Sequence, residues 1–128
     1  MNALPLIKRL VAQSVGTVGK SLFLSMMPTE CELGVLLRPP LTGTKIDHEL
    51  PGYYKTTLQV IARSHDYEDG LALVNKAVKA LTIKNDTQLD GLLVRYLRPM
   101  HKPVSFPLSE GNFIEFNVRM EMCFNEDE

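Results

Sequence analysis

Cysteine is scarce in this chain: Cys31 and Cys123 are the only two. Neither stands in a C-x-x-C or other metal-ligand spacing, which argues against a disulfide-built scaffold and a cysteine metal site. Two reduced thiols are the expectation. Long apolar runs are also missing. Nothing approaches the ~18 residues a membrane span needs. No long apolar stretch with a small-residue cleavage site follows Lys8 and Arg9, so the N-terminus makes a poor signal peptide. The chain is expected to be made and used in the cytoplasm, without a membrane partner. An excess of one charge is absent too: 14 Lys and Arg face 15 Asp and Glu. The basic residues are scattered along the sequence, which argues against a grip on nucleic-acid backbone.

Catalytic signatures are lacking as well. No G-x-S-x-G or G-x-G-x-x-G occurs. Residues 16–21, GTVGKS, have too few residues between their glycines for a phosphate loop, and they follow a helical pattern where that motif follows a strand. His48, His65 and His101 do not pair with other ligand types at helical spacing. Asp66, Glu68 and Asp69 stand at a helix start, where capping accounts for them. Tyr53 and Tyr54 have no basic groove beside them, so they are expected at a strand edge or interface. No catalytic, cofactor-binding or metal-binding residue is assigned, and no enzyme is expected.

What is present is an ordinary globular composition: 128 residues, 45% hydrophobic and 23% charged. That fits one domain over residues 1–128 with a core of its own. Residues 3–15 read as a helix with Leu4, Ile7, Val11 and Val15 on one face, Asn2 as cap and Pro5 in the first turn. Residues 22–26 and 30–37 read as two strands of a hairpin. Residues 41–50 are too polar for a half-buried strand and form part of a long connection. A strand is expected over 53–63. A helix follows over 66–81, with Tyr67, Leu71, Val74, Val78 and Leu81 on its buried face. Residues 85–91 read as a polar turn, and 92–97 as a strand ended near Pro99. Residues 99–111 read as a second long loop with a short extended piece. In the last strand, Ile114, Phe116, Val118, Met120, Met122 and Phe124 alternate with Glu115, Asn117, Arg119, Glu121 and Cys123. Its length suggests that part of it leaves the domain's own sheet. The sum is an α+β domain: an antiparallel sheet of about four or five strands with two helices packed on one face.

This order of parts resembles the tail terminator proteins of long-tailed bacteriophages, also labelled tail completion or minor capsid proteins. The matching stretches are the N-terminal helix; SLFLSMMPTECELGVLLRP, with Gly34-Val35-Leu36-Leu37 in its second strand; LPGYYKTTLQVIARSHDYEDGLALVNKAVKAL, where a strand closes on Arg63 and Tyr67 opens the helix; and the closing strand FIEFNVRMEMCF. The resemblance covers nearly the whole chain and is one of pattern. It implies a structural virion protein of the tail or neck, assembled in the host cytoplasm. Such a protein forms a ring, usually a hexamer, on the last ring of a completed tail tube. It stops tube polymerisation and offers a surface to the head-side connector. Related folds occur in other neck and tail-tube proteins.

A closed ring needs a heterologous interface, in which one patch meets a different patch of the next copy. The long polar connection is a candidate reach, through Leu41, Thr42, Gly43, Thr44 and Lys45. Tyr53 and Tyr54, with the overlong last strand, are candidates for edge-to-edge contact. With balanced charge, DNA is expected to pass through the lumen without specific binding. Two other classes compete. One is a small ligand- or peptide-binding module, marked by a deep apolar pocket. The other is an enzyme with a site gathered around Asp47, His48 and His65.

Overall fold

The computed structural model describes residues 3–28, 31–39, 44–46, 49–50, 52–107 and 112–126. Along the chain run α1 (Leu4–Ala12), β1 (Leu22–Leu24), β2 (Gly34–Arg38), β3 (Lys45–Ile46), β4 (Tyr53–Ser64), α2 (Tyr67–Leu81), β5 (Thr87–Leu89), β6 (Leu92–Pro99), β7 (Val104–Pro107) and β8 (Ile114–Glu126). The class is α+β as expected. The sheet is larger than four or five strands and is mixed. Its path is β1-β2-β4-β8-β6-β5, with β3 added to β4 and β7 to β8.

The strict alternation of β8 does not carry it out of the sheet. One margin pairs with β4 from Tyr53↔Asn125 to Ser64↔Ile114. The other pairs with β6 and then β7, laid end to end along it. Its length is therefore consumed as the spine of the domain. Between β6 and β7 the chain leaves that margin over residues 100–103. There Met100 N–H donates to Arg119 O at 2.8 Å, and Arg119 N–H donates to His101 Nε2 at 3.1 Å. The imidazole stands in for a ladder carbonyl.

The even-numbered residues of β4 and β8 face the helices. Leu58, Val60, Ala62, Phe116, Val118, Met120, Met122 and Phe124 are buried there with Leu6, Ile7 and Leu10 of α1 and Val74, Ala77 and Leu81 of α2. In α1 the buried stripe is Leu6, Ile7 and Leu10, while Leu4 and Val11 are 51% and 45% exposed. The sequence carries two overlapping apolar stripes here, and packing against α2 selects the other one. Ala3 occupies the cap position without a side-chain bond, and Asn2 lies outside the described residues. Pro5 sits in the first turn, as expected.

In α2 the buried set is Gly70, Val74, Ala77, Ala80 and Leu81, and Tyr67 is 53% exposed. The rotation has a steric cause. A Cβ on Gly70 would stand 2.7 Å from the Phe116 ring and 2.8 Å from Ser64 Oγ. The small residues therefore let the helix lie close on the sheet. Asp66 caps the helix, accepting from Asp69 N–H at 3.2 Å. At the other end the Arg9 guanidinium donates to Ala80 O at 2.8 Å and to Thr82 O at 3.5 Å. Arg9 thus ties α1 to carbonyls that the end of α2 leaves without helical partners.

Residues 22–26 and 30–37 do not make a hairpin. β1 and β2 run parallel, with Leu22↔Val35 through Leu24↔Leu37 in register. Parallel strands require the chain to return to its starting end between them, and Ser25 just after β1 takes φ 72°. Arg63 fastens this link, donating to Pro28 O at 2.8 Å and Cys31 O at 3.4 Å. The polar stretch 85–91 also differs from expectation. Its residues 87–89 form β5, a hairpin partner of β6. The turn is Asp90-Gly91, both at positive φ (25° and 82°), the backbone that two-residue hairpin turns require.

Candidate functional site

The candidate reach is placed only in part. Leu41, Thr42 and Gly43 lie outside the described residues. Thr44 donates through Oγ1 to Thr56 Oγ1 at 3.4 Å. Lys45 and Ile46 form β3, with backbones opposite Lys55 and Tyr54. The end of the polar connection therefore lies along β4 and adds a two-residue strand. Ile46 is 61% exposed.

Tyr53 and Tyr54 open β4. Their strand has β8 on one side, and β3 pairs with Tyr54 on the other. They point to opposite faces. The Tyr54 ring packs on Phe124 at 5.4 Å between centroids, on the helix side. On the other side a hydrogen bond with the Cys123 thiol raises the Tyr53 phenol pKa, and burial raises it further. Both tyrosines are half-buried.

The open face of the sheet is where charge collects. The register sets Arg38, Gln59 and Arg119 side by side across β2, β4 and β8. Lys55 stands on the same face of β4, two alternations along. The two carboxylates of β8 on this face are already engaged. Glu115 accepts from Arg63 Nε at 3.0 Å, and Glu121 pairs with Arg98, raising the Arg98 pKa by that hydrogen bond first. Arg38, Lys55 and Arg119 have no carboxylate partner among the described residues. On the same face β7 presents Val104 and Phe106, 46% and 49% exposed, opposite Asn117 and Glu115. These residues escaped the sequence reading because they come from four strands. Only the pairing register brings them together.

The start of α2 has the opposite sign. Glu68 and Asp69 are exposed and have no cation partner among the described residues. Tyr67 beside them sets its ring edge-on to Phe116 at 5.1 Å.

No group of three or more His, Cys, Asp or Glu among the described residues is placed to hold a metal. His65 stacks on Phe113 at 4.5 Å and meets Asn112 O through Nδ1 at 3.2 Å. Asp47 and His48, proposed beside it as an alternative catalytic group, lie outside the described residues. Cys31 and Cys123 are free. Cys31 lies beside Gly34, which pairs with Arg63; Cys123 pairs with Lys55. Roughly 25 Å of strand separates the two positions, beyond disulfide reach. A depression of about 310 Å³ between the helices is lined by Arg9, Gln13, Lys76, Lys79 and Ala80. Its cationic lining is unlike a deep apolar ligand pocket.

A family model described as "Bacteriophage tail terminator protein" matches residues 9–125. Among solved structures, the chain is similar to one from "Virion of native gene transfer agent (GTA) particle". The two align with a TM-score of 0.61 at 12% identity, over 94% of this chain and 91% of that one. At that identity the likeness is one of fold. The search of curated proteins finds no match.

Proposed function

We propose a ring-forming, tube-capping role for this chain, which belongs to the bacteriophage tail terminator family. It is a structural tail protein and a component of the virion. In the proposed role it closes into a ring, a hexamer, on the last ring of a completed tail tube. The ring stops further addition of tube protein and offers its opposite side to the head-side connector. Subunits assemble in the host cytoplasm, and DNA passes through the lumen without specific binding.

The family match over nearly the whole domain carries this reading. The physical arrangement is consistent with it. The helices and one sheet face are spent on the core. The other face and the start of α2 remain as chemically different surfaces, which a heterologous ring contact requires. Leu41 to Lys45 are proposed as the reach toward the tube or the neighbouring copy, with Tyr53 and Tyr54 supporting the root of that connection from β4.

Deletion of residues 41–45 tests the loop. The expected variant folds, with a melting transition lowered slightly by the loss of Thr44 and Lys45 from beside β4, and fails to complete tails. Normal particles from the deletion would remove the loop from the interface. Negative-stain images of the purified chain with tail tubes test the ring: caps on tube ends of uniform length are expected. Tubes that grow past the expected length in its presence contradict a terminating role.

A further inference from the structure

We propose that the open face of the sheet and the start of α2 are the two halves of one contact between successive copies of this chain, matched by charge. The inference rests on the ring reading above and names the surfaces that would close the ring.

One half is cationic. Arg38 and Arg119 flank Gln59 in one row, about 10 Å apart at two strand spacings. Lys55 stands about 13 Å further along β4. Their side chains find no carboxylate among the described residues. Val104 and Phe106 add an exposed apolar corner. The other half is acidic. Glu68 and Asp69 project from the first turn of α2 beside the exposed Tyr67. Each half thus combines like charges with an aromatic anchor, a composition suited to recognition. They belong to opposite faces of the sheet. A copy that offers the first half to one neighbour therefore offers the second half to the other. That is the head-to-tail arrangement from which rings close.

Duplex DNA is the competing occupant of the cationic face. Three cations per copy without a carboxylate among the described residues, repeated around a channel, would hold phosphate by counterion release. A lumen that must let DNA slide is served better if a neighbour's carboxylates cover those cations. The chain as a whole is close to neutral, with 14 basic and 15 acidic side chains. Copies can therefore satisfy one another's charge without any other partner.

A charge exchange tests this in the full chain. Two double variants, R38E/R119E and E68K/D69K, are compared with the variant carrying all four changes, in lysates lacking the unaltered protein. Each double variant is expected to lower the yield of completed tails about 10-fold or more. The fourfold variant should recover to within about 3-fold of the unaltered chain, because opposite charges again face each other. Melting curves report folding. If a reversal melts early, the neutral pairs R38Q/R119Q and E68Q/D69Q replace it. Their losses should then fail to add, since both remove the same contact. A fourfold variant no better than either double overturns the proposal, as do additive losses in the neutral pairs. It also falls if R38E/R119E assembles normally but loses salt-dependent binding to duplex DNA. Absence of caps from the unaltered chain on tail tubes would remove the ring reading itself, which the charge exchange leaves distinguishable.

Discussion

The two faces of β4 and β8 are made by the same strands yet follow different rules. On the helix side, Leu58, Val60, Phe116, Val118, Met120 and Met122 are all but completely buried. On the open side, Gln59, Asn117 and Glu121 are half-buried and Arg119 and Lys55 are exposed. Leu36 and Ile61 are buried there too, at 4% and 6% exposure, so the open side is not simply wet. The contrast teaches that a period-two pattern assigns two tasks at once. One parity of residues holds the fold, and the other is free to carry recognition.

Substitutions on each side should break or sharpen that division. The largest effect is expected for Phe116→Ala, which empties a large buried site beneath α2. A loss of about 3–5 kcal/mol follows from the cavity it leaves, measured by chemical denaturation. A loss below ~1 kcal/mol would mean that the helix side is less tightly packed than the burial indicates. Gly70→Val should come next. Its side chain would enter the space held by the Phe116 ring and Ser64 Oγ, costing about 1–3 kcal/mol by overpacking. A shift of the melting transition checks it, and an unchanged transition would show that α2 can lift without loss. The smallest effect on stability is expected for Arg119→Ala, within about 0.5 kcal/mol, as for exposed sites away from packed features. The same variant should lower tail completion. A large loss of stability with normal tail completion would erase the distinction between the faces.

Much of the domain was legible because its signals are local. In α2 the cap at Asp66, the acidic first turn and the apolar period lie within one short segment. In β8 the alternation is uninterrupted. The class α+β and the placement of both helices on one core follow from those two segments. What failed was non-local. The direction of β1 against β2 depends on how the chain returns between them and on Arg63, far away in sequence, holding that link. The stripe of α1 depends on which of two apolar stripes meets α2. The extent of β8 was read correctly, but its surplus was assigned outward because β6 and β7 were not seen as one interrupted partner. β5 is a different failure. Asp90-Gly91 is a strong hairpin signal, and the polar composition around it concealed a strand. Of the candidate interface residues, Tyr53 and Tyr54 lie in the strand expected for them. Arg38, Lys55 and Arg119 stayed invisible, since nothing in their sequence spacing marks them as neighbours.

The spine position of β8 has a consequence for growth. With both of its margins occupied, the backbone donors and acceptors left for a newcomer lie mainly on the outer strands. β1 and β5, at the two ends of the strand path, run only three residues each. Such short rims are poor templates for adding strand upon strand. A subunit built this way can be joined through its side chains and still give an advancing polymer little main chain to copy.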